Sequence, residues 1–252
     1  MELSDTNRKI IDAIIKKAQK VCPGSLELIG VYGSVCTGDI HEKSDLDLLI
    51  LINDDLGWKL SDGFILDDKG IGYDIYCTNW KMLEEEAACG HAHLAKLMDS
   101  EIVYASGHTA VRRVSELKSR AENILKSEKR FVCAENMIKE AKRIYADAML
   151  AETMAKARMC AFGCISLLLD AVMVGNGKYF HKGIKRTFEE LDGISLPDCF
   201  INNIYRIVTA SEMEELRESL TVLLRATAAY AKRDRVKEQP SESNISGTYE
   251  EM

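Results

Sequence analysis

The sequence predicts an α+β fold in two parts: strands and helices together over residues 1–107, then an all-helical bundle over residues 108–235. Before residue 107, short apolar runs bounded by Gly, Asp and Asn recur, which is the pattern of strands. From Thr109 onward the apolar residues fall at helical spacing throughout. Residues 236–252 are polar and read as a loose tail.

The elements follow in order. Ser4 or Asp5 caps a first helix whose apolar residues 10, 11, 14, 15, 18 and 21 form one stripe, and Pro23-Gly24 ends it. "LELIGVYG" at 26–33, "DLDLLILI" at 45–52, "GYDIYC" at 72–77 and "EIVYAS" at 101–106 read as strands. The polar, Gly- and Asp-rich segment 53–70 has room for a hairpin, and residues 79–98 read as helical. The second part reads as helices near 109–126, 128–156, 157–175, 180–192, 197–208 and 211–233. Turn chemistry at Asn176-Gly177 and between Gly193 and Pro197 breaks that run.

Composition narrows the function classes. Of 252 residues, 46% are apolar, 29% charged and only three are proline, so the chain is globular without long disordered linkers. A net charge of −7 and a pI near 5.4 argue against nucleic acid as the partner and favour a small polar or cationic substrate. The cysteines at 22, 36, 77, 89, 133, 160, 164 and 199 form no C-x-x-C, and the chain opens on a polar helix rather than a signal peptide. Both suggest reduced thiols in a cytoplasm. The longest apolar run, 160–175, falls short of the roughly 20 residues of a membrane span and carries Asp170. It reads as a core helix, with Gly163, Cys160 and Cys164 permitting close packing. His91 and His93 lack a partner at ligand spacing and read as exposed or packed histidines.

The chemistry lies in "GSVCTGDIHEKSDLDLLILI", residues 33–52. On a strand, Asp45, Asp47 and Leu49 share one face while Leu46, Leu48 and Ile50 share the other. Two like charges about 7 Å apart at the mouth of a buried strand repel each other, and a divalent cation between them removes the conflict. Hard cations such as Mg²⁺ take such oxygen ligands and leave positions open for phosphate. Asp74 would supply a third carboxylate if its strand lies beside this one. Gly33-Ser34, between a strand and a short helix, can offer backbone N–H groups and a hydroxyl to a phosphate. A Cβ at 33 would obstruct that approach.

Gly33-Ser34, Gly38, Ser44-Asp45-Leu46-Asp47 and Asp74 together resemble the signature of the nucleotidyltransferase superfamily of the DNA polymerase beta type. The leading helix, "IGVYGS", nine residues to the Ser-Asp pair, and "EIVYASG" before a helical domain are similar to antibiotic adenylyltransferases of the kanamycin-nucleotidyltransferase type. This narrower resemblance weakens after residue 107. It implies a nucleotidyltransferase domain with a small mixed sheet over 1–107 and a helical substrate-binding domain over 108–235. It also implies Mg²⁺ on Asp45, Asp47 and Asp74, with ATP or another nucleoside triphosphate held by Gly33, Ser34, Thr37 and Ser44. The acceptor would be a hydroxyl of a small molecule such as an aminoglycoside, and related enzymes pair as homodimers.

Relatives carry Arg or Lys where this chain has Thr37, so Lys43, Lys142 or Lys156 would have to grip the triphosphate. Asn136, Glu140, Arg143 and Asp147 share a polar helix face opposite Val132, Met137, Ile138, Ala141, Tyr145 and Ala148. A solvated face is the simpler reading. The resemblance implies instead a general base there, with Glu140 the candidate and Asp147 the alternative. Another class with this signature is the toxin–antitoxin nucleotidyltransferase acting on or binding a protein or RNA, but those antitoxins are usually a lone first domain. An inactive binding module on the same fold is disfavoured by the intact acidic triad.

Overall fold

The computed structural model describes residues 3–21, 23–37, 45–53, 63–66, 72–89, 94–182 and 186–238. The chain forms two compact units, Met1–Ser127 with Gly177–Ile194, and Glu128–Asn176 with Ser195–Met252.

In the first unit, helix α1 (Asp5–Val21) starts where the Asn7 N–H donates to Ser4 Oγ at 3.2 Å, so Ser4 is the cap. A five-stranded mixed sheet follows, in the order β3 (Gly63–Leu66), β4 (Gly72–Thr78), β2 (Leu46–Ile52), β1 (Leu26–Tyr32), β5 (Glu101–Ala105). Strands β2 and β4 run parallel, and every other pair is antiparallel. The polar segment expected to hold a hairpin contributes β3, which pairs with β4.

Period-two alternation sorts the two faces. Leu46, Leu48, Ile50 and Ile52 of β2 join Ile29 and Val31 of β1 and Ile75 of β4 in a core with Ile11 and Ala18 of α1. Each such aliphatic side chain stabilises the fold by about 1.5–3 kcal/mol. Leu28, Leu49 and Leu51 on the opposite face are also fully buried. That face is covered by α3 (Trp80–Cys89) and α4 (Leu94–Met98), which reach it through Glu86 and Lys96. The segment after α4 also approaches it: a Cβ on Gly30 would stand 3.0 Å from Ser100 Cβ.

Helix α5 (His108–Leu125) packs on α3, α4, β1 and β5 and so belongs to the first unit. Residue 107 marks where strands end, whereas the packing division falls one helix later, after Ser127. Within the first unit, Asp99 accepts from Tyr179 Oη at 2.7 Å and contacts His181 Nδ1 at 2.9 Å. Of the helix expected at 180–192, the described residues show α8 (Thr187–Glu190).

The second unit comprises α6 (Lys129–Leu150), α7 (Met154–Gly175), α9 (Phe200–Thr209) and α10 (Met213–Glu238). The expected helix 128–156 is cut short. The chain turns extended at Ala151 and restarts at Thr153, whose hydroxyl accepts the Lys156 N–H at 3.3 Å. Gly163 faces Ile144, and an added Cβ would meet it at 3.6 Å, an ordinary contact rather than an unusually close one. At 22 residues and a mean hydropathy of 1.8, α7 is long and apolar enough to cross a membrane, so length does not separate it from a span as the sequence suggested. Packing does: Ala157, Ala161, Cys164, Leu168 and Ala171 are buried, and α6 is its main partner. Asp170 on this helix is mostly buried, with no hydrogen bond or ion pair among the described residues, and burial pushes its carboxyl up to about 6.

Candidate active site

The end of β1 and the starts of β2 and β4 meet at one rung. Tyr32 pairs with Asp47, and Asp47 pairs with Asp74 across the parallel ladder. Because Leu46, Leu48, Tyr73 and Ile75 belong to the α1 core, Asp47 and Asp74 both project from the other face. Asp45, two residues before Asp47 and half-buried, sits at the mouth of β2.

After Tyr32 the chain turns at Gly33, with φ +71°, into the short helix α2 (Ser34–Thr37). A Cβ on Gly33 would lie 1.9 Å from Asp47 Oδ2. The Asp47 carboxylate is therefore the neighbour that a side chain at 33 would strike, and the left-handed φ alone also favours glycine. The backbone N–H of Ser34 favours the charged form of this carboxylate.

The electrostatics follow from this crowding. Burial, and then the charges of Asp74 and Asp45, push the Asp47 carboxyl up to about 6, against the pull of Lys96 and the Ser34 N–H. Tyr32 is pushed up by burial and by the charges of Asp74 and Asp47. Its hydroxyl is buried without a hydrogen-bond partner among the described residues. Behind the rung, Tyr76 Oη donates to Glu86 Oε1, while Glu86 Oε2 is buried and unpaired. Lys96 lies with Nζ 3.8 Å from the centre of the Tyr76 ring.

Asp45, Asp47 and Asp74 are hard oxygen donors, and the half-buried Asp47 carboxyl is pushed up by its acidic neighbours even against the pull of Lys96. That chemistry suits a divalent cation of the Mg²⁺ class. Among the described residues, no three acidic, His or Cys groups stand together as a ready-made metal cage.

The other expected residues fall elsewhere. Ser34 is half-buried at the start of α2, and Thr37 closes that helix. Gly38, Lys43, Ser44, His91 and His93 lie outside the described residues. Asn136, Lys142, Asp147 and Lys156 are exposed in the helical unit. So is Glu140, whose carboxylate is held by Arg143 at 2.5 and 3.0 Å, and this ion pair keeps it below the usual carboxylate range. Val132, expected on the buried stripe of that helix, is 48% exposed, and Phe131 and Ala134 take its place.

Sequence reasoning passed over Tyr32, Tyr76, Glu86 and Lys96. Tyr76 was within reach, since it follows Asp74 by two residues and so shares its face. Glu86 and Lys96 come from helices, and no strand periodicity points to them.

A row of acids at the mouths of two parallel strands, beside a Gly-Ser turn opening a short helix, defines the class: a nucleotidyl-transferring enzyme domain. Residues 8–85 match the family model of the nucleotidyltransferase domain, so this part of the chain carries a domain of that superfamily. Among solved structures, the chain is similar to a nucleotidyltransferase-like protein from Exiguobacterium sibiricum 255-15, with 11% identity and a TM-score of 0.47. That similarity covers 91% of this chain and 78% of the other. No curated protein matches the sequence.

Proposed function

We propose that the protein is a Mg²⁺-dependent nucleotidyltransferase that moves a nucleoside monophosphate, AMP from ATP, onto a hydroxyl of a small molecule. An aminoglycoside-type antibiotic is the leading acceptor class. The observation that carries this reading is the Asp47–Asp74 rung, with Asp45 two residues before it at the mouth of β2. When bound, the divalent ion would supply charge neutralisation on the phosphates and polarise the attacked phosphoryl group. Asp45 and Asp47 would hold it against the triphosphate, and Asp74 would hold the side nearest the attacking oxygen. The acceptor oxygen forms a bond to the α-phosphorus, pyrophosphate leaves in line, and the hydroxyl proton passes to a base. The net charge of −7 and the resemblance of the motif order support a cationic acceptor.

The test is a pyrophosphate-release screen of the purified chain with each nucleoside triphosphate against a panel of hydroxyl-bearing antibiotics, run beside Asp47→Asn. Removing this ligand should lower turnover about a thousandfold or more while the fold persists. Near-normal turnover in Asp47→Asn, or no release with any pair, would overturn the proposal.

A further inference from the structure

Among the described residues, the acid face contains one ammonium group that the transfer reading leaves without a role. Lys96, half-buried on α4, holds its Nζ 3.8 Å from the centre of the Tyr76 ring and 5.7 Å from that of Tyr32. Cation–π attraction fixes it there. The carboxylates of Asp74, Glu86 and Asp47 all act on it electrostatically, in that order of strength, against the cost of burial. Yet among the described residues Lys96 makes no hydrogen bond or ion pair with any of them. Its charge is shared over the cluster rather than spent on one partner. Glu86 takes its hydrogen bond from Tyr76.

We infer that Lys96 is the resident counter-cation of this carboxylate cluster, so that a divalent ion enters together with a nucleotide's triphosphate and not ahead of it. The inference rests on the transferase reading. A free divalent ion approaching Asp47 and Asp74 meets a positive charge that already acts on both carboxylates, and in a partly buried site that repulsion is weakly screened. A metal–triphosphate complex carries net negative charge and meets the same ammonium as an attraction. Lys96 is thus a positioning residue for binding order. It keeps the acids assembled before substrate arrives and penalises the bare ion.

The experiment is a Mn²⁺ titration of the full chain, with free Mn²⁺ read by electron paramagnetic resonance, without nucleotide and with α,β-methylene ATP. Wild type is compared with Lys96→Met, with Lys96→Gln as a second neutral variant should the first fail to fold, and with Lys96→Arg. Without nucleotide, a neutral variant should bind Mn²⁺ about tenfold tighter or more than wild type, and Lys96→Arg should follow wild type. With the analogue present, the gap should close or reverse. Unchanged or weaker Mn²⁺ binding in the folded neutral variants would overturn the inference, as would tight binding of bare Mn²⁺ by wild type. If no form of the protein binds the Mn²⁺–analogue complex, it is the transferase reading that fails. Equal behaviour of all forms toward bare Mn²⁺, with the complex bound, removes the role of Lys96 alone.

Discussion

Asp170→Asn should make the protein more stable at neutral pH. The Asp170 carboxyl is mostly buried on α7 without a partner, and burial moves it from 3.8 to about 6. The folded state therefore holds its proton more tightly than the unfolded chain. Stability from this group is fully present below about pH 4 and is lost as pH rises through about 6. The full shift corresponds to about 3 kcal/mol, and partial exposure of the side chain brings the expected loss nearer 2 kcal/mol. An asparagine of the same shape carries no charge to bury and escapes this loss. Both tryptophans, at 58 and 80, come before α6 in the sequence and neither is on α7, so urea melts should follow helical circular dichroism rather than tryptophan fluorescence. The variant should gain about 2 kcal/mol over wild type at pH 7.5 and much less at pH 4. Asp47 titrates in the same direction in the first unit, so the difference between variant and wild type is the quantity to read. No gain at pH 7.5, or the same gain at both pH values, would refute the reasoning.

Other substitutions test other parts. Gly33→Ala should cost about 3 kcal/mol or more, from the left-handed φ and the clash that displaces the Asp47 carboxylate, and should abolish transfer. Gly24→Ala has a similar φ of +74° and nothing within 4 Å of the new Cβ, so it should cost only about 1 kcal/mol; equal thermal shifts would remove the clash from the account. Glu140→Gln tests the proposed base: transfer should slow about a hundredfold with nucleotide affinity unchanged. Unaltered turnover would exclude Glu140 and leave Asp147 to be tried.

The strands and the acid pair were legible in the sequence because alternation is a local signal: Leu46, Asp47, Leu48 announce their own faces whatever they pair with. Pairing was less legible. That Asp74 stands directly beside Asp47 depends on a parallel ladder 27 positions apart in register, which the sequence stated only as a condition. The need for glycine at 33 was legible in the sequence, whereas the neighbour that a Cβ there would strike, a side chain 14 positions on, was not. The break at Ala151–Thr153 was missed because both flanks have strong helical periodicity and the cap is a single threonine hydroxyl. Lys96 was invisible because "HLAKLM" reads as an ordinary helix, and its position over Tyr76 is a fact of tertiary packing.

The parallel pairing of β2 with β4 also bears on how the protein folds. Strand β1 meets β2 after a short excursion of chain, whereas β2 meets β4 only after the chain has run through β3 and returned in the same direction. Such non-local ladders close slowly, because loop entropy is lost before contacts reward it. Here the closing rung also sets Asp47 against Asp74, a like-charge encounter that opposes this pairing. Salt should therefore speed refolding of the wild type by screening that encounter, and should do so less for Asp74→Asn. An equal salt response of the two in stopped-flow refolding would show that the rung is formed after the rate-limiting barrier, not at it.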